Sequence, residues 1–135
     1  MDKKEIVSLA KCIRKVFDTN DPFYISKVLG IKVEFREYSR AVKGYYRKVF
    51  NDVYIVINEN YSQKEQKIIC AHELGHALLH TDVAQHIIDE FYNGGDVSTL
   101  EHEANIFALA LLLDEELDVE ISSLSNYLIQ NIFKI

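Results

Sequence analysis

The stretch that decides the reading runs from residue 71 to residue 80: Ala71-His72-Glu73-Leu74-Gly75-His76-Ala77-Leu78-Leu79-His80. Its centre is H-E-x-x-H in a segment with helical patterning. A helix turns about 100° per residue, so His72 and His76 share a face about 6 Å apart along the axis. Two imidazoles so spaced can converge on one zinc ion at ~2.0–2.1 Å each. Glu73 projects about 100° from His72 and about 60° from His76. It can flank the metal without binding it and take a proton from water held there. The bland alternative is a solvated helix that happens to carry two histidines.

Context favours the site. Ser62 and Glu65 have capping-box spacing, which starts a helix over about 63–80. Ile68, Ala71, Leu74 and Leu78 make its core face, and His72, Glu73, His76 and His80 share a neighbouring arc. Gly75, in mid-helix, costs about 1 kcal/mol relative to alanine. Such a glycine points to close approach of another backbone.

Upstream, residues 3–17 form an amphipathic helix with Ile6, Leu9, Ile13 and Val16 on one stripe. Asp21-Pro22 opens a short helix that ends at Gly30. Residues 31–36 alternate as a strand, and Tyr45–Phe50 and Val53–Asn58 flank a tight turn at Asn51-Asp52. Downstream, 81–97 is the least regular part, with a turn at Asn93-Gly94-Gly95-Asp96, and suits a lid or substrate loop. Residues 99–113 are helical and apolar all round from Ile106, hence buried. Asp118 caps a last helix carrying Val119, Leu124, Leu128 and Ile132.

The chain has 135 residues, 48% hydrophobic and 27% charged, with net charge −6. That suits one α+β domain over 1–135: N-terminal helices, a small three-stranded sheet, and the H-E-x-x-H helix packed on a second, buried motif helix. The acid balance and the absence of basic runs argue against direct nucleic-acid binding. No apolar run reaches membrane-span length, and Met1-Asp2-Lys3-Lys4-Glu5 opens a helix and not a signal peptide. Cys12 and Cys70 make no disulfide framework and are expected as buried thiols in a cytoplasmic protein.

A catalytic zinc site needs a third protein ligand. In Leu100-Glu101-His102-Glu103-Ala104-Asn105, Glu101 and Asn105 share a helix face. Packing Ala104 and Ala108 against the glycine side of the first helix would aim Glu101 at the metal, with Asn105 holding a ligand from behind. Ser98 and Glu101 also fit a capping box, so Glu101 as a mere cap stays open, as does His102 as ligand. Glu103 projects about 160° from Glu101 and is not expected to serve the same site. His80 is expected behind the ligands or in a structural role. Donors for the oxyanion come from His80, His86, His102, Tyr46 and Tyr92, without a choice among them.

The chain resembles the ImmA/IrrE metallopeptidase family, many of whose members are encoded by phages and mobile elements. The resemblance covers most of the chain. It rests on Ile55-Val56-Ile57-Asn58 before the catalytic helix, on the 71–80 signature, and on Glu101-His102-Glu103-Ala104-Asn105-Ile106-Phe107-Ala108 followed by Leu111-Leu112-Leu113. The family's second motif is E-x-E-A-N-x-F-A ending in L-L-M-P. The glutamate four before the asparagine is a metal ligand there, which carries over to Glu101. His72 and His76 carry over as ligands and Glu73 as general base. Asp114 replaces the family's proline. The chain ends at Ile132-Phe133-Lys134-Ile135, where many relatives continue into another helix, so a reduced substrate- or partner-facing part is expected. No fused DNA-binding domain is expected. The resemblance implies a zinc endopeptidase whose protein substrate is a helix-turn-helix transcriptional repressor of the same mobile element, an anti-repressor role. The rivals are a regulatory binding protein with a structural or sensory zinc site, and a toxin-type partner in a two-gene cassette.

Overall fold

A computed structural model describes residues 1–80 and 95–113. Within them the order is α1 (Lys3–Phe17), α2 (Pro22–Val28), β1 (Lys32–Arg36), β2 (Gly44–Val49), β3 (Asp52–Asn58), α3 (Gln63–Leu79) and α4 (Gly95–Leu112). The architecture is α+β, as expected from the sequence. The proposed last helix from Asp118 and residues 81–94 of the irregular segment expected over 81–97 lie outside the described residues, while residues 95–97 belong to α4, which starts earlier than expected. Among the described residues no helix is long and apolar enough to cross a membrane.

The helix starts follow local chemistry. Ser62 Oγ accepts from the Glu65 backbone N–H at 3.1 Å, and Glu65 returns the bond to the Ser62 N–H at 3.0 Å. Asp2 and Glu5 repeat this box at the start of α1. Asp21 caps Phe23 at 3.0 Å with Pro22 in the first turn of α2. Each box satisfies two backbone donors that the first helical turn leaves unpaired.

The sheet has order β1-β3-β2, with β1 parallel and β2 antiparallel to β3. Val49 pairs with Asp52, so the tight turn is Phe50-Asn51, one residue earlier than expected. Gly44 explains the register. It pairs with Ile57, and a Cβ on it would lie 2.7 Å from the Val56 carbonyl oxygen and 2.8 Å from Ile69 Cγ2. Only a residue without a side chain fits there. Phe50 takes a left-handed conformation, φ 58°, to close the turn.

The core lies between the sheet and the helices. Ile6, Val7 and Ala10 of α1, Ile55 and Ile57 of β3, and Leu74 of α3 all belong to it. The stripe expected on α1 is thus displaced: Val16 is 71% exposed, and Val7 and Ala10 are buried instead. The cause is the partner. α1 packs on α4, and Arg14 donates to the carbonyls of Ala110, Leu111 and Leu113 at the end of that helix. This cation satisfies carbonyls that a helix C-terminus leaves without donors. Cys12 falls on the outer side of α1 and is exposed, contrary to expectation, while Cys70 is buried. Burial pushes the Cys70 thiol far up, with a bond from Ser26 opposing.

Residues Ile69 to Ala77 of α3 are buried without a break, and α4 is buried from Ala104 to Leu111. Both helices are therefore core elements on nearly every side, wider than the single face of α3 read from Ile68, Ala71, Leu74 and Leu78. They pack tightly at Gly75, where a Cβ would meet Phe107 Cβ at 3.2 Å and Ala104 Cα at 3.3 Å. The expected close approach of a second backbone is present at Ala104, with Phe107 rather than Ala108 as the nearest side chain.

Candidate metal centre

Three side chains meet at the α3–α4 crossing. His72 and His76 stand one turn apart on α3, their rings edge to face with centroids 4.8 Å apart. Each turns Nε2 toward α4. His72 Nε2 lies 2.9 Å from Glu101 Oε1, and His76 Nε2 lies 3.0 Å from Glu101 Oε2. The three donor groups lie within 4.8 Å of one another and can hold a metal ion. Two imidazoles and a carboxylate suit zinc. In a tetrahedron of ~2.0–2.1 Å bonds, neighbouring donors sit about 3.3 Å apart, so the set fits with small adjustments.

The α4 helix begins at Gly95, so Ser98 lies inside it and cannot cap it. Glu101 is engaged with both histidines, which removes the capping alternative. His102 is exposed and stands apart from this cluster.

The rings are held from behind. His72 Nδ1 lies 2.8 Å from Asn105 Oδ1. That amide accepts from the ring and leaves Nε2 to face Glu101, the arrangement expected of Asn105 from its spacing. His76 Nδ1 lies 3.0 Å from His80 Nδ1, and His80 Nε2 lies 2.8 Å from Glu103 Oε1. Glu103 is not part of the metal-capable group, as expected, but it makes a contact that the wheel angles do not show. Its α-carbon does project away from Glu101, yet its long side chain reaches past the end of α3 to His80. The sequence signal lies on α3 alone: His80 follows His76 by about one helical turn and so shares its face. Tyr46, from β2, stacks on His76 with centroids 6.5 Å apart and 12° between planes. It is 1% exposed, so it packs the ring from the sheet side. His86 and Tyr92 lie outside the described residues.

The site is dry. His72 and Glu73 are each 2% exposed and His76 5%. Burial pulls the His76 imidazole down to about 4, helped by the neighbouring His72 and His80 and opposed by Glu101. It is thus neutral near pH 7, with a lone pair to offer. Burial alone would raise the Glu101 carboxyl, but its bonds to and attraction by His72 and His76 outweigh that and hold it well below the usual carboxylate range. It is an anion at any ordinary pH.

The chain is similar to known proteins. A model of the Peptidase M78 family, described as the IrrE N-terminal-like domain, matches residues 26–132. The chain belongs to this family. Its ImmA/IrrE-type resemblance, first carried by the two motifs, thereby holds over most of the sequence. A curated relative, the "Uncharacterized immunity region protein 2" of Bacillus phage phi105, is 35% identical over 101 residues. The match covers 75% of this chain and 63% of that protein. Peptidase M78 proteins are metallopeptidases, and the cluster of His72, His76 and Glu101 is compatible with that chemistry.

Proposed function

We propose that this protein is a zinc-dependent endopeptidase that cleaves one specific protein, a helix-turn-helix repressor of the same mobile element. The observation that carries the peptidase reading is the convergence of His72 Nε2 and His76 Nε2 on the two oxygens of Glu101. In this reading His72, His76 and Glu101 hold the ion. Three protein donors leave a fourth position for water or substrate, as catalytic sites require. When bound, the zinc supplies a Lewis acid that lowers the pKa of a coordinated water toward about 7 and polarises the scissile carbonyl.

The chain's own residues do the rest. Glu73 follows His72 directly on α3 and shares its burial. It takes the proton of the attacking water and hands it to the leaving amine. Asn105 keeps the His72 ring oriented, and the packed Tyr46 limits rotation of His76. Exclusion of water around these groups strengthens each charge interaction at the site. The Glu101 side chain keeps 15% of its surface accessible, more than either histidine.

The repressor assignment rests on two supports. The phi105 relative carries an immunity-region name. A chain with net charge −6 is poorly suited to regulate DNA directly and better suited to act on a DNA-binding protein. Such a substrate implies work in the cytoplasm. A protease there must be selective, so recognition rests on a folded partner surface, and casein should be cut poorly. The test is co-expression with the repressor encoded beside this gene. Wild type should shorten it and Glu73→Gln should not. Derepression with intact repressor, equal for both forms, would favour a binding protein that regulates without cutting.

A further inference from the structure

We propose that His80 and Glu103 form a positioning relay that fixes the His76 ring, so that its Nε2 offers a lone pair to the metal ion it would share with Glu101. The inference rests on the reading of His76 as a metal ligand. Its basis is a continuous chain of contacts: His76 Nδ1 to His80 Nδ1 at 3.0 Å, then His80 Nε2 to Glu103 Oε1 at 2.8 Å. His80 is 6% exposed, so water does not compete for these bonds freely.

Hydrogen placement on this chain is constrained. A neutral imidazole carries one donor and one acceptor nitrogen. With the Nε2 lone pair of His76 committed to a metal, its hydrogen sits on Nδ1 and donates to His80 Nδ1. The hydrogen of His80 must then sit on Nε2, where it donates to the Glu103 carboxylate. Every contact is satisfied in that one sense. The two ligand rings are thus backed differently. Asn105 holds His72 with a neutral amide, whereas an anion reached through a second imidazole holds His76. The carboxylate–histidine pairing behind metal ligands fixes tautomer and raises ligand basicity. Here an extra histidine lengthens it by one link, and the anion comes from α4, the helix that also supplies Glu101. One helix therefore both holds the ion and aligns a ligand of the other helix.

Glu103 meets His80 with Oε1 and the Met1 ammonium, 4.0 Å away, with Oε2, so its route to His76 runs through His80 and the two should be energetically coupled. The experiment measures zinc affinity by chelator competition in the full chain, together with nitrogen-15 tautomer assignment of the histidines in the zinc-loaded protein. His80→Ala should weaken zinc by about 10–100-fold, and Glu103→Ala should weaken it in the same direction. The double variant should be little worse than His80→Ala alone. His80→Gln, whose amide offers one acceptor and one donor, should recover much of the loss. In wild type His80 should carry its hydrogen on Nε2, and Glu103→Ala should relax that preference. The relay is overturned if His80 carries its hydrogen on Nδ1 in the zinc-loaded protein. It is equally overturned if Glu103→Ala and His80→Ala bind zinc as wild type does, or if the two losses simply add. His76→Ala separates this from the underlying assignment. Loss of zinc there with wild-type affinity in the relay variants refutes the relay alone, whereas undiminished zinc in His76→Ala refutes the ligand assignment itself.

Discussion

Replacing Gly75 with alanine sets two opposed effects against each other, and the structure decides between them. Alanine in a helix interior is favoured over glycine by about 1 kcal/mol. Against that, the new Cβ would lie 3.1 Å from Phe107 Cδ1, 3.2 Å from Phe107 Cβ and 3.3 Å from Ala104 Cα. Two of these three atoms are fixed by the α4 backbone, and no rotamer change moves them away. Both residues are fully buried, so relief requires α3 and α4 to separate by a few tenths of an ångström. Overpacking of this kind costs about 1–3 kcal/mol, and a backbone-fixed contact belongs in the upper half of that range. The net expectation is a loss of about 1–2 kcal/mol, or roughly 3–8 °C in Tm for a domain of this size. Function should suffer more than the fold. Glu101 sits one turn before Ala104 and spans both histidines at 2.9 and 3.0 Å, so the same separation opens the donor set directly. Thermal melts with and without zinc, plus a chelator competition, read both effects. A Tm that rises by the helix-propensity increment, with zinc affinity unchanged, would refute the claim that this contact sets the site.

Three further outcomes are expected. Gly44→Ala should destabilise by about 1–3 kcal/mol, because its Cβ would meet the Val56 carbonyl and Ile69 below contact distance; an unchanged denaturation midpoint would place β2 elsewhere. Asn105→Ala should weaken zinc by about 10–100-fold in chelator competition, since His72 Nδ1 loses its acceptor, whereas Asn105→Asp, which still accepts, should lose less. Acid should destabilise the metal-free protein: His76 is held down to about 4 in the fold against 6.5 ordinarily, so the unfolded chain binds the extra proton first. That stability is present above pH 6.5 and is lost between 6.5 and 4, about 3 kcal/mol in all, with Glu101 extending the loss below 4.5. Urea midpoints that stay level from pH 7 to pH 4.5 would contradict it.

What the sequence made legible was whatever short-range spacing controls. Ser62 with Glu65, Asp21 with Pro22, and His72 with His76 are local geometry, and each appears as read. Gly75 was legible because glycine in mid-helix demands a reason. The displaced buried face of α1 was not, since Val16 and Val7 are equally apolar and only the docking of α4 chooses between them. The hairpin slipped by one residue because Asn51-Asp52 is a good turn pair, and the overriding constraint, Gly44 beneath Ile69, comes from a helix outside the hairpin. The contact of Glu103 with His80 is not legible in the sequence for a related reason. Wheel angles describe where an α-carbon points, while a glutamate at a helix crossing can reach a residue beyond the partner helix's end. Of the segment 81–97 proposed as a substrate loop, residues 81–94 lie outside the described residues and 95–97 belong to α4.

The most direct test of the account is a zinc measurement on three purified forms, wild type, Glu101→Ala and Glu73→Gln, by elemental analysis and chelator competition. The account predicts about one zinc per chain in wild type, strong loss in Glu101→Ala, and full retention in Glu73→Gln with peptidase activity gone. Zinc held normally by Glu101→Ala, or released by Glu73→Gln, would contradict the assignment of a carboxylate ligand on α4 and a separate base on α3.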